Sequence, residues 1–318
     1  MYTVKLSGYI TAVLTLLLTA CSSSGPARRI DPELSQAAAS ARMAYDRGEF
    51  KLAARHYRLA LQRARVMDDA GEIGNGAYNL AACCLEEGDL DRAEDLLGEA
   101  RRAFLQAGGI PTDLPLLQAR VALLQGRPEE AESLLREEVC VDQGSLTPAV
   151  RLQAAFLRTR LAILADDDQA AASELVAARQ LLEETEDDLA AAEYAALEGD
   201  ILLREGSASE AGAAFDRQAG LLRRSARYAA MAGALARAGD AYRRAGDYCS
   251  AGDRFFRSAR NLFARGDITA SLEMITSAVE TGEQCEQEAF REDVRGLFEE
   301  IRKVVPAPPD SETPVNEQ

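Results

Sequence analysis

The chain has no tryptophan and only one histidine among 318 residues, and its basic residues are outnumbered by acidic ones, 36 to 52. Each shortage excludes something. With one histidine, His56, neither a His pair for a metal nor a His-based catalytic relay can be assembled. The formal charge of −16 opposes binding to phosphate backbones, so no nucleic-acid partner is expected. β-Branched residues are sparse, while Ala, Leu, Arg and Glu dominate; that composition forms helices and disfavours extensive sheet. No phosphate-cradling glycine loop, nucleophile elbow or zinc-protease helix occurs. The reading is of a chain that is not an enzyme and needs neither cofactor nor metal.

What the chain does have is a phrase that returns about every 40 residues. It reads Gly48-Glu49-Phe50 with Ala53, Gly88-Asp89-Leu90 with Ala93, and Gly126-Arg127-Pro128 with Ala131. It continues as Asp166-Asp167-Asp168 with Ala171, Gly206-Ser207-Ala208 with Ala211, and Gly246-Asp247-Tyr248 with Ala251. A period in this range is the mark of a helical solenoid. Each unit needs two helices. In the first, Asp31-Pro32 is a start signal, with Asp as cap and Pro at the first helical position. Gly48 ends that helix and a second begins near Phe50. Ala41, Ala53 and Ala60 fall where the two helices touch, and a larger side chain there would overpack at about 1–3 kcal/mol.

The small–aromatic–small pattern resembles the tetratricopeptide repeat (TPR). Its carriers are Ala41, Ala44, Ala53, Tyr57 and Ala60 in the first unit, Gly199, Leu202, Ala211 and Phe215 in the fifth, and Gly239, Tyr242, Ala251 and Phe255 in the sixth. The second unit supplies Leu80, Ala81, Ala93, Leu97 and Ala100; the third and fourth are weaker matches. The resemblance implies an all-α, right-handed α-solenoid of helix hairpins over residues 31–265, with terminal capping helices over 266–304 and a disordered tail over 305–318. Three departures stand out. The family period is shorter than the one here, which points to a lengthened second helix in each pair. The family's Trp is absent, and Asp166 replaces a turn glycine. After Gly246 the phase changes, because Gly266-Asp267-Ile268 repeats the phrase only 20 residues on.

The N-terminus reads as an export address. Lys5 precedes an apolar stretch from Tyr9 to Ala20, which is short for a membrane span. It ends in Leu18-Thr19-Ala20-Cys21, which resembles the bacterial lipobox. That likeness implies removal of residues 1–20, acylation of Cys21, and a tether over 21–30; with Ser22 following, it implies delivery to the outer membrane facing the periplasm, the inner membrane being the other destination.

The TPR resemblance also implies a groove lined by first helices. It carries over to Arg42, Arg120 and Arg160 with Tyr78, Leu116 and Phe156, and to Asn79 where peptide-binding members often place an asparagine. Those residues suit a protein or peptide partner with apolar anchors and a carboxylate. The other reading of the same residues is that the apolar ones pack against the next helix and the arginines form solvated pairs. At the level of function, a scaffold or adaptor for envelope assembly stands beside a purely structural envelope lipoprotein.

Five cysteines remain besides Cys21. Cys83 and Cys84 read as small buried residues, with Cys84 at an inter-helix packing position, and Cys140 as a loop thiol. Cys249 and Cys285 can bridge if their Cα atoms approach within about 7 Å. Asp166-Asp167-Asp168 reads as a helix cap rather than a cation site.

Overall fold

A computed structural model describes residues 31–139, 146–285 and 287–304. Among them are fourteen α-helices joined by short turns. Six consecutive hairpins come first: α1 (Pro32–Asp46) with α2 (Phe50–Val66), α3 (Ala70–Glu87) with α4 (Leu90–Ala107), and α5 (Leu114–Leu124) with α6 (Pro128–Val139). They continue as α7 (Pro148–Leu164) with α8 (Asp168–Leu182), α9 (Asp188–Arg204) with α10 (Ala208–Arg224), and α11 (Tyr228–Arg244) with α12 (Tyr248–Ala264). Then α13 (Ile268–Glu283) packs on α12, and α14 (Glu288–Val304) packs on α13. The first helices α3, α5, α7 and α9 also touch one another in succession and form one layer of the array. Cys21, Cys140, the leader, the tether and the tail lie outside the described residues.

The turns share one backbone device. A residue with positive φ stands at 48, 68, 88, 108, 126, 166, 186, 206, 226, 246 and 266, close to every 20 positions. At ten of the eleven the residue after it donates its N–H to a carbonyl five positions back, as Glu49 does to Ala44 (2.9 Å) and Asp247 to Tyr242 (3.0 Å); the turn at Glu186 closes through Thr185 to Leu182 (3.1 Å) instead. The five-back bond is the Schellman closure of a helix C-terminus. Its donor residue then caps the next helix: Asp89, Asp167, Asp247 and Asp267 each accept a backbone N–H three residues on. In α9 to α12 the connection takes three residues and the helix 17, so each helix-plus-turn there occupies 20 and each hairpin 40; elsewhere the connection varies, with two residues before α4 and six before α5.

Two expectations are corrected by this rhythm. The phase does not change after Gly246: residue 266 is the between-hairpin turn that 68, 108, 186 and 226 already exemplify. Those turns were hidden because three of the four use Asp68, Glu186 and Ala226 in place of glycine. Nor are the second helices selectively lengthened, since α9, α10, α11 and α12 all have 17 residues. Asp166 simply takes the left-handed position (φ 55°) that glycine holds elsewhere.

The core is built from rings set against bare backbone. A methyl group on Gly199 would lie 2.3 Å from the Phe215 ring, and one on Gly239 would lie 2.8 Å from the Phe255 ring. Phe156, Phe215 and Phe255 are fully buried, and Ala41, Ala53 and Ala60 close the first hairpin. Asp31 caps α1 through the Leu34 N–H (2.9 Å), and Arg63 of α2 holds it in place from the side (2.7 Å). At the far end Cys249 in α12 and Cys285 beyond α13 form a disulfide, with Cα atoms 5.0 Å apart. Cys83 and Cys84 are buried free thiols. Among the described residues no helix is long and apolar enough to cross a membrane.

Candidate partner-binding cavity

The array curves until its first hairpin meets its fifth. The contact joins the α1–α2 turn to the α10–α11 turn. Arg227 donates from Nη1 to the Tyr45 carbonyl (2.6 Å), a contact across 182 residues. Its guanidinium also lies over the rings of Tyr45 (5.4 Å) and Phe50 (5.0 Å), which themselves meet edge to face. Gly48 is required twice here. Its φ of +74° disfavours a side chain, and a Cβ would crowd Arg227 Nη1 at 3.2 Å.

The curve partly encloses a cavity of about 1170 Å³. Its walls come from the inner layer and from both of the meeting turns. Seven basic and five acidic residues line it, a net of two positive charges inside a chain whose total is −16. Arg120 of α5 and Arg160 of α7 stand in this wall with Tyr45, Glu86, Gln153 and Glu193. Each arginine reaches a carboxylate on a neighbouring first helix: Arg120 to Glu86 (3.5 Å) and Arg160 to Glu193 (3.1 Å). Arg237 pairs with Asp200 in the same manner between α11 and α9. Both Arg120 and Arg160 are 41% exposed, so each pair contributes only about 0.2–1 kcal/mol, and an incoming carboxylate can displace the resident one at low cost. Gln218 of α10, also in the wall, has its Oε1 buried without a hydrogen-bond partner among the described residues; a ligand N–H would satisfy it.

A smaller cavity of about 320 Å³ adjoins the first and shares Tyr45, Arg120 and Gln153 with it. Here Tyr78, Asn79 and Leu116 come together with Tyr57. Tyr78 donates its hydroxyl to Asp113 (3.0 Å); burial, reinforced by that carboxylate, holds its phenol well above the usual range. Burial, with Glu86 nearby, pushes the Tyr45 phenol up to about 12. Both rings are therefore neutral hydrogen-bonding surfaces at physiological pH. Asn79 donates to the Asn75 carbonyl of its own helix (2.8 Å).

Of the residues carried over from the TPR pattern, Arg120 and Arg160 share the large cavity, and Tyr78, Asn79, Leu116 and Arg120 share the small one. Arg42 is exposed but lines neither. Phe156 offers a ligand no surface: it is 0% exposed and packs in a core cluster with α8 and α9 residues such as Leu175 and Leu197. Tyr45, Gln153, Gln218 and Arg227 were not singled out from the sequence. Tyr45 stands one turn before a turn glycine, a detectable position, whereas nothing local marks Arg227.

Among the described residues no three His, Cys, Asp or Glu side chains cluster to hold a metal. Asp167 caps α8 through the Ala170 N–H (2.9 Å), while Arg204 ties down Asp166 (2.9 Å) and Asp168 (2.6 Å). His56 sits half-buried on α2, beside a groove that also contains Glu33 and Arg63. Burial, with Cys84 and Glu87 as lesser causes, pushes the Cys83 thiol up to about 12, the opposite of an activated nucleophile.

No family profile and no curated protein matches the chain. Solved structures do. A Rap protein crystallised with competence and sporulation factor superposes with a TM-score of 0.60 at 14% identity, over 85% of this chain and 75% of that one. A signal-transduction ATPase with a tetratricopeptide repeat sensor, from Pyrococcus horikoshii, gives 0.59 at 13% identity over 81% of this chain, which spans 41% of the length of that protein. At such identities the likeness is one of fold, and that fold is a TPR-like solenoid of sequential helical hairpins.

Proposed function

We propose that this chain is a non-catalytic, lipid-anchored scaffold facing the periplasm, which recruits a protein partner by taking a carboxylate-bearing segment of it into the central cavity. The observation that carries this reading is the inverted charge of the cavity: a cationic, tyrosine-containing interior in a strongly acidic chain. Arginine forks bind carboxylates in bidentate fashion, and the exposed resident pairs exchange at low cost. The neighbour crystallised with competence and sporulation factor holds a second molecule on the same type of fold. Location is argued separately. The lipobox-like Leu18-Thr19-Ala20-Cys21 supports acylation and delivery to the outer membrane, with residues 1–20 as leader and 21–30 as tether. The Cys249–Cys285 bridge supports it independently, because disulfides persist in oxidising compartments such as the periplasm. In this arrangement the lipid sets the place, the tether gives reach, and the solenoid displays the cavity for assembly of an envelope complex.

The test is crosslinking in cells from a photoreactive residue in place of Gln153, which lines both cavities, followed by mass spectrometry, in the otherwise wild-type chain and in the R120E/R160E variant. A stoichiometric partner is expected in the wild type and is lost in the variant at an unchanged melting temperature. An undiminished partner in the variant would remove the cavity from the mechanism. The absence of any stoichiometric partner would favour a purely structural role.

A further inference from the structure

The first hairpin has the opposite charge from the rest of the chain. Over residues 32–66 there are seven basic and three acidic side chains, against an overall −16. Helix α2 holds Lys51, Arg55, Arg58, Arg63 and Arg65 and no acidic residue at all. Arg63 is engaged by Asp31 and Arg65 by Glu99, but Lys51, Arg55 and Arg58 form no ion pair among the described residues. The buried face of α2 is Ala53, Ala54, Tyr57, Ala60, Leu61 and Ala64. On its opposite face Leu52, Leu59 and Val66 stand seven residues apart, forming one line along the helix; Leu52, with Lys51 and Arg55, also borders the large cavity as exposed residues of its wall, and Leu59 and Val66 border the groove beside His56. Leu52, Leu59 and Val66 are 40%, 55% and 76% exposed. Met43 of α1 and Met67 are exposed as well, so five of the twelve large exposed apolar side chains of the described residues belong to this one hairpin and its closing residue.

We infer that the exposed face of α2 rests on an anionic lipid surface. A stripe of aliphatic side chains flanked by unpaired cations is the chemistry of an interfacial helix: apolar groups enter the acyl boundary while Lys and Arg meet lipid phosphates. A second copy of the chain would set two positive faces together. An acidic polypeptide would satisfy the cations but not an aliphatic line running the length of the helix. Position adds to the argument. α1 starts at Pro32, eleven residues after Cys21, so this hairpin is the part of the solenoid nearest the proposed lipid attachment. To that extent the inference rests on the anchored reading. Docked in this way, the chain would present its basic end to the bilayer and keep its acidic units away from it.

The full chain is mixed with vesicles of phosphatidylcholine alone and of phosphatidylcholine with phosphatidylglycerol, and the bound fraction is measured by sedimentation at low and high salt. A lipid anchor or leader contributes alike to both vesicle types, so the ratio of the two partition coefficients reads the charged face. With roughly five-fold per unpaired cation, binding to anionic vesicles is expected to exceed binding to neutral ones by up to about a hundred-fold at low salt and to converge with it at high salt. K51E/R55E/R58E should remove the preference while circular dichroism stays unchanged. L59S/V66S should weaken binding to both vesicle types and leave the salt dependence intact. A ratio at or below one, as the net charge alone would give, overturns the inference, and so does a preference that survives the triple reversal. Anchoring is read separately: Cys21→Ser lowers binding to neutral vesicles if Cys21 is acylated, and leaves the ratio to report on α2 in either case.

Discussion

Replacing Arg227 by alanine should open the solenoid. The side chain makes one charge-assisted hydrogen bond to the Tyr45 carbonyl and covers two aromatic rings at 5.0 and 5.4 Å. A hydrogen bond from a charged donor contributes about 1.5–3 kcal/mol, and each half-exposed cation–π contact about 0.5–1 kcal/mol. Arg227 is partly solvated, so the lower ends apply and the sum is about 2–3 kcal/mol. That corresponds to a shift of roughly 30- to 150-fold in the balance between closed and open forms. The rest of the array keeps its nearest-neighbour packing, as expected of a repeat architecture, so the variant should remain fully helical. Pulsed electron resonance between labels at positions 46 and 229 should give one short distance in the wild type and a broad, longer distribution in R227A. R227K should fall between the two, because lysine keeps the charge but loses the planar face that stacks on the rings. Identical distributions in wild type and R227A would show that hairpin curvature alone brings the ends together and that the clamp reasoning is wrong.

Three further outcomes follow from the packing and the titrating groups. Gly199→Ala, which in an exposed helix would stabilise by about 0.5–1 kcal/mol, should here destabilise by about 1–3 kcal/mol because the new methyl meets the Phe215 ring, and the sign of the change in thermal melting decides the matter. Removing the disulfide with C249S/C285S releases a constraint across 36 residues, worth about 4 kcal/mol in the chain-entropy model, so amide exchange in α13 and α14 should accelerate while α3 and α4 are unaffected. Alkaline pH should destabilise the fold. Burial raises the Cys83 thiol from 9.0, and the Tyr45 and Tyr242 phenols from 10.0, in each case to about 12. The folded state thus holds these protons more tightly than the unfolded one. Stability is full below pH 9 and falls as pH rises toward 12, which urea melts at pH 8, 10 and 11 would register.

Legibility in the sequence depended on whether a feature is local. The helix hairpins could be read because a three-residue turn with a left-handed residue and an Asp cap leaves a written mark, as at Gly246-Asp247. The pairing of Gly199 with Phe215 could be read for the same reason: both lie in one hairpin, and the ring needs a bare backbone opposite it. The between-hairpin turns were missed where Asp68, Glu186 and Ala226 adopt positive φ, since no single residue type announces that conformation. In the site, Arg120 and Arg160 fell at register positions that the family pattern predicts and that the structure places in one wall. Phe156 failed as a groove residue because register alone does not tell the inner face of a first helix from its inter-helix face, and a large ring there was drawn into the core.

Closure of the array was invisible for a deeper reason. Each hairpin turns by a small angle fixed by where alanines allow close approach and where rings hold the helices apart, and only the sum over several units decides whether the ends meet. No residue encodes that sum. The sequence nonetheless contains what makes the meeting favourable: a glycine at 48 leaves room for a guanidinium, Tyr45 and Phe50 supply its cradle, and Arg227 follows an alanine held at a φ of 55°. A left-handed alanine costs roughly 1–2 kcal/mol, which a glycine would avoid, as glycine does in seven other turns of the described chain. The strained turn therefore sits at the residue before the clamp, in the wall of the same cavity as Arg120. If opening and closing of this junction governs access to the cavity, Ala226→Gly should relieve the strain and also loosen the aim of Arg227. Stability would then rise while the closed fraction fell, two quantities that a uniformly rigid solenoid would move together.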